Sequence, residues 1–324
     1  MKSPIIPWLA YAATILHALI VGLSFLFAKM ALEYASPLDT LAYRFAVSFG
    51  LLCIPAALGW LKLNYLGKPV GKLLLLATAY PLGFFLFQTF GLRLSTSSEA
   101  GMLFSLGPIV TTILASLILK EGTTPLQKLF ILVSVSGVVS IFAFQSGDGM
   151  TGGATGIVLL LLSTLAISFY SVLTRSLLRS FTTAEILFLL QGIGFVSFIG
   201  WAVARHALSG TLEQLAAPLS NNSFILDILY LGILASLVTS LTSIYALSRI
   251  SASITSVFSN LSTVVSIAAG MVLLGESMTA ASLIGSVLII AGAVGTAVFG
   301  RRSAAMKKRN DSTINTEAKG AESL

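Results

Sequence analysis

Apolar runs of about 18 to 25 residues recur along the chain from Trp8 to Phe299, and each could cross roughly 30 Å of hydrocarbon as a helix. No other feature constrains the fold so strongly. Charged residues make up only 10% of the 324 positions and hydrophobic residues 56%, whereas soluble domains carry roughly 25% charged residues. A soluble core could not bury this much apolar surface, so the bilayer must solvate most of the chain. A membrane-spanning β-barrel would instead read as segments of about ten residues alternating apolar and polar. The first run, which follows Lys2, extends about 20 residues without a convincing small-x-small cleavage site, so it reads as a helix rather than a signal peptide.

The breaks between runs predict an all-α integral membrane fold of ten transmembrane helices near 8–30, 38–59, 72–92, 96–119, 125–144, 155–175, 184–204, 225–247, 252–274 and 279–300. Several connections are short enough to make consecutive helices antiparallel neighbours. With the N-terminus in the cytoplasm, Lys62, Lys68, Lys72, Lys120, Lys128, Arg175, Arg179, Arg249 and the tail beginning Arg301-Arg302 fall inside, leaving Lys29, Arg44, Arg93 and Arg205 outside. This positive-inside bias predicts a multi-pass protein of a bacterial inner (plasma) membrane with both termini cytoplasmic. The net charge of +7 is thereby attributed to orientation and not to nucleic acid. Residues 301–324 read as a disordered basic tail.

Sliding the chain by 155 residues pairs Leu106 with Leu261, Val110 with Val265, Glu121 with Glu276 and Gly137 with Gly292. Upstream the offset falls to 146, the difference being taken up around His206–Phe224. The reading is two five-helix repeats, 1–146 and 147–300. Because five is odd, the second enters the membrane from the opposite side, which is the inverted architecture of many secondary transporters.

The segments Leu103-Phe104-Ser105-Leu106-Gly107-Pro108-Ile109-Val110 and Leu117-Ile118-Leu119-Lys120-Glu121, echoed by Val257 to Leu274 and Gly275-Glu276, resemble the EamA-type signature of the drug/metabolite transporter superfamily. The resemblance covers both halves and implies a ten-helix secondary transporter, often an exporter of amino acids, related metabolites or drugs. Its cavity would be lined by helices of both repeats. Thr263 stands where the first copy has Pro108, which leaves open whether the ninth helix bends as the fourth should.

A solute site inside such a bundle must be built from polar and aromatic side chains sharing helix faces. Tyr80, Phe84, Phe87, Gln88 and Gly91 form one stripe, and the repeat offset maps Phe84 to Thr239 and Gln88 to Ser243. Asn260, which pairs with Ser105, is the leading single candidate, and Thr112 lies further along the Ser105 face. Ser24 and Tyr170 complete the substrate-binding candidates, although hydroxyls in such helices, Ser168 included, often bond their own backbone. His17 and Glu99 are candidates for proton coupling, the former because an imidazole titrates near roughly 6.5. Each has a structural alternative: a bond from His17 to a carbonyl, and Glu99 at a helix N-terminus. Arg44, within the first two turns of the second helix, is placed to snorkel outward or to pair with Glu33 or Asp39. With no lysine or arginine expected at midspan, neutral, zwitterionic or weakly amphipathic solutes suit the cavity better than phosphate esters. A broad drug exporter is the alternative.

No H-E-x-x-H, no G-x-S-x-G and no catalytic carboxylate pair occurs, so an enzyme is not expected, and neither a metal nor another cofactor is implied. A channel would bring a selectivity element, and none is apparent. The small-xxx-small spacing of Ala281, Gly285, Gly292 and Thr296 could support a homodimer or packing within the chain.

Overall fold

The computed structural model describes residues 7–119, 124–145, 153–249, 252–275, 280, 283–292, 294–295 and 299. The helices among them are α1 (Pro7–Tyr34), α2 (Pro37–Ala57), α3 (Val70–Ala77), α4 (Phe84–Arg93), α5 (Ser97–Phe104), α6 (Gly107–Leu119), α7 (Pro125–Gln145), α8 (Gly153–Leu177), α9 (Thr183–Leu208), α10 (Leu212–Ala216), α11 (Asn222–Leu229), α12 (Thr239–Arg249) and α13 (Ala252–Leu273), followed by α14 (Leu283–Gly292). No strand occurs among the described residues. Six helical stretches are long and apolar enough to cross a membrane, namely Ala12–Tyr34, Pro37–Ala57, Val70–Arg93, Ala154–Leu177, Thr183–Leu208 and Asn222–Arg249. Pro125–Gly137, Leu261–Leu273 and Leu283–Gly292 are shorter apolar helices. The tail, Glu121, Glu276, Ala281, Thr296 and the Asn260 side chain lie outside the described residues.

Helix starts are set by polar caps that satisfy backbone N–H groups left orphaned at the first turn. Thr96 with Glu99 and Thr182 with Glu185 form reciprocal capping boxes, and Thr124 exchanges the same pair of bonds with Gln127. Ser36 caps α2 ahead of Pro37. Losing such a cap costs about 1 kcal/mol, so Thr182→Ala should lower the unfolding midpoint of the purified protein by a few degrees; an unchanged midpoint would contradict the assignment.

Three long helical paths are interrupted, and each break has a local cause or consequence. Pro108 has no N–H to give the carbonyl four residues back, and the chain breaks between α5 and α6. α13, with Thr263 at the repeat-equivalent position, runs through without interruption, which answers the question left open by the missing second proline. Between α3 and α4 the path kinks over Thr78–Gly83, with Pro81 inside the kink and Tyr80 extended at φ −142°, ψ 120°. A π-helical stretch, Tyr230–Val238, joins α11 to α12. At the 155-residue offset the kink falls within the π-helical stretch.

Packing exploits small residues, since apolar side chains gain nothing by leaving lipid for each other. A methyl on Gly232 would stand 2.9 Å from the Arg44 carbonyl oxygen and 2.8 Å from Val47 Cβ, so α2 lies directly on the second π stretch. Gly137 and Gly292 bring α7 and α14 into backbone contact, where Ser134 Oγ donates to the Ile289 carbonyl at 3.2 Å. Gly285 and Gly292, the described members of that small-residue series, therefore serve contacts within the chain.

α1 packs on α13 as α8 packs on α5 and α6; α4 packs on α8 as α12 packs on α1; and α2 pairs with α9. Exchanging α1–α6 with α8–α13 maps this contact pattern onto itself. The α2–α9 pair is tied at both ends. At one, Lys68 Nζ meets Glu185 Oε2 at 2.7 Å, and Tyr65 Oη donates to the Glu185 carbonyl at 2.9 Å. At the other, Asp39 Oδ1 lies 3.1 Å from His206 Nε2. Large apolar side chains such as Ile54, Leu75, Leu132, Val196 and Trp201 point outward, as lipid-facing groups should.

Candidate functional site

The helix breaks converge on one interior cavity bounded by α1, α2, α4, α8 and α12, with about 100 Å³ open to water. At roughly 10–15 Å³ per water it holds several waters or one small polar group. α1 contributes His17 and Ser24, α2 Arg44, the α3–α4 path Tyr80, Phe84, Phe85 and Gln88, and α8 Ser168, Tyr170 and Ser171. The other side comes from Phe104, Gly107 and Thr111, and from Ala235, Thr239, Ser240, Ser243 and Leu247.

Arg44 dominates the electrostatics. Only 3% exposed, it neither snorkels nor meets Asp39, because Asp39 is engaged by His206, by Ser36 at 2.6 Å and by Arg205. Its Nε donates to Ser236 Oγ at 2.6 Å, its Nη2 donates to the Ala235 carbonyl at 2.9 Å, and its Cζ sits 4.2 Å from the centre of the Phe85 ring. The π-helical stretch makes this docking possible: it presents the Ala235 carbonyl, which also accepts from Thr239 Oγ1 at 2.9 Å. Among the described residues no carboxylate oxygen lies within 4 Å of this guanidinium. A buried cation held only by neutral groups and a ring keeps a desolvation penalty of several kcal/mol, which an arriving anion would relieve. Gln191 supports the same turn, its Nε2 donating to the Ser236 carbonyl at 3.1 Å.

Aromatic rings line the α4 and α8 sides. Tyr80 lies 4.4 Å from Tyr170 and 5.6 Å from Phe84, centre to centre, and its hydroxyl is 3.0 Å from Ser240 Oγ. α12 supplies a hydroxyl face of Thr239, Ser240 and Ser243. His17 Nδ1 donates to the Thr239 carbonyl at 3.1 Å, which fixes the ring beside the cavity.

The structure thus brings together Tyr80, Phe84, Gln88, Thr239, Ser243, Ser24, Tyr170 and His17. Ser105 and Thr112 do not join them: the α5–α6 break turns Phe104, Gly107 and Thr111 toward the cavity, one position out of phase, and Ser105 Oγ donates to the Met102 carbonyl at 2.6 Å. Phe87 likewise gives way to Phe85. Glu99 lies in the Thr96 capping box and not on the cavity. The Asn260 side chain is outside the described residues. Residues not foreseen are Phe85, Thr111, Ser240 and above all Arg44, since a cation does stand inside the bundle; it could have been noticed as an arginine two turns deep with its nearest acid spoken for by a histidine far along the chain.

Helices of this length and apolarity around a polar and aromatic chamber define a multi-pass membrane protein. The chain belongs to the EamA-like transporter family, whose model matches it twice, over residues 8–143 and 154–298. It is 43% identical over 287 residues to YcxC of Bacillus subtilis (strain 168), described as an uncharacterized transporter, covering 89% of this chain and 92% of that one. An uncharacterized transporter of Archaeoglobus fulgidus is 27% identical over 288 residues, 88% of this chain and 96% of its own. A solved crystal structure shares the fold, with a TM-score of 0.64 at 20% identity over 90% of this chain and 99% of that one.

Proposed function

We propose that the protein is a secondary transporter that exports small carboxylate-bearing metabolites, amino acids among them, across a bacterial inner membrane by alternating access. The observation that carries the reading is Arg44, a guanidinium inside the cavity with no carboxylate partner among the described residues. Arginine is suited to holding a carboxylate through two parallel N–H bonds. Around it, Gln88 and the hydroxyls of Ser240 and Ser243 suit an ammonium or hydroxyl group, while the Tyr80, Tyr170 and Phe84 rings suit an apolar side chain.

Two inverted five-helix halves, ten spans and cytoplasmic termini belong to this proposal. They are supported by the double family match, the self-mapping contact pattern and the irregular turns that interrupt the third and eighth helical paths at overlapping positions. In that orientation the cavity adjoins the cytoplasmic end at Leu247. A cluster that includes Phe25, Leu92, Met102, Leu103 and Phe224 closes the outer half.

The test is flux of labelled amino acids, other carboxylates and neutral drugs in liposomes holding the purified protein, with and without a pH gradient. Saturable flux restricted to carboxylates is expected; flux of cationic or neutral drugs alone would replace this reading by drug export. Gln88→Ala and Asn260→Ala should each lower flux roughly tenfold, the scale of one or two lost hydrogen bonds, with membrane abundance unchanged. Normal flux in both variants would remove them from the site.

A further inference from the structure

Below the cavity the structure holds a second concavity that the transport site does not use. It measures about 640 Å³ and is lined by Arg175 and Arg179 of the α8 end, Arg249 at the end of α12, and Thr182 and Thr183 at the start of α9. Leu247 lines both this vestibule and the central cavity. On α8, Ser171 faces the cavity while Arg175 faces the vestibule, an i, i+4 pair that keeps both on one helix face, and Arg179 reaches the same vestibule from the turn that follows the helix. On α12, Ser240, Ser243 and Leu247 make the same approach from the other side.

The three arginines are exposed, and among the described residues none forms an ion pair. The nearest acid in sequence, Glu185, is already neutralised by Lys68 at 2.7 Å. Among the described residues Arg249 meets the Tyr245 ring, 5.5 Å from its Cζ. Charges that merely set membrane orientation need only lie on one side of the bilayer; nothing in that role would gather three guanidinium groups around one concavity that meets the Arg44 cavity at Leu247. Like charges at such a mouth repel one another, and a low-dielectric wall focuses their field on an incoming anion.

We infer that Arg175, Arg179 and Arg249 form an anion-capturing vestibule that binds the carboxylate solute before it passes Leu247 to Arg44. The inference rests on the proposed function for the identity of the solute but not for the existence of the site. The vestibule is an outer, low-affinity station: it sets the concentration of solute at the gate, and Arg44 receives it.

Arginine labelling reads the vestibule without turnover. The full-length protein in nanodiscs of phosphatidylcholine alone is treated with phenylglyoxal, and modification of each arginine is followed by mass spectrometry, with malonate as the probe. Malonate at roughly 10 mM should slow modification of Arg175, Arg179 and Arg249 about threefold or more, and ~0.5 M sodium chloride should abolish that protection by screening, while Arg93 at the opposite end of its helix bundle reacts equally throughout. Equal rates with and without malonate overturn the vestibule. Protection that appears only when phosphatidylglycerol is added, and never with malonate, also overturns it by assigning the arginines to lipid headgroups. Protection in a protein that moves no carboxylate would retain the vestibule and refute the proposed function; flux without protection would do the reverse.

Discussion

Arg44→Gln is expected to lower carboxylate kcat/KM by roughly 10- to 100-fold, the scale of losing charge-assisted hydrogen bonds, while leaving the protein as stable as the parent or more so. The two halves of this expectation have one origin. Arg44 is buried with only Ser236, Ala235 and the Phe85 ring around it, so its charge is costly in the empty protein and removing it relieves that cost. Arg44→Lys keeps a charge but loses the planar fork, and its flux should fall between the two. Flux in liposomes and thermal unfolding of the same preparations check both halves. A loss of flux that merely tracks a loss of folded protein would make Arg44 a structural residue.

Gly232→Val should remove both fold and flux. The added side chain would meet Val47 Cβ at 2.8 Å and the Arg44 carbonyl oxygen at 2.9 Å, and neither backbone nor a branched side chain can yield by rotation. α2 must then lift from the π-helical stretch, carrying Arg44 away from Ser236 and the Ala235 carbonyl. Overpacking of this kind typically costs about 1–3 kcal/mol or more, so membrane abundance should drop several-fold. Gly200 is the control, since nothing lies within 4 Å of a methyl placed there and Gly200→Val should be neutral. Equal abundance of the two variants would mean that α2 does not rest on that turn.

Much of the fold was legible because lipid leaves the backbone few options. Apolar runs give the helix positions within a few residues, and in the structure Thr96, Thr124 and Thr182 cap three of those helices. Part of the cavity was legible too: the helical face carrying Tyr80, Phe84 and Gln88 and its repeat partner carrying Thr239 and Ser243 do line it. What periodicity missed are the breaks. A uniform 3.6-residue repeat cannot anticipate the turn that puts Thr111 where Thr112 was expected, nor the π-helical stretch at Tyr230–Val238, which has no proline to mark it. Arg44 was misread for the same reason. Its partners are a serine and a carbonyl about 190 residues away that only this irregular turn presents, and Asp39, the local partner suggested by sequence, is held by His206.

The central claim is that a solute carboxylate meets Arg44 inside the cavity, and the most direct measurement is competition. In liposomes, each labelled amino acid that the protein moves is challenged with its own unlabelled form and with the matching amide, which differs only in replacing the carboxylate. In the parent protein the carboxylate should compete roughly tenfold or more better than the amide, as expected for a charged contact, and in Arg44→Gln the two should compete alike. Equal competition by acid and amide in the parent protein would contradict the account.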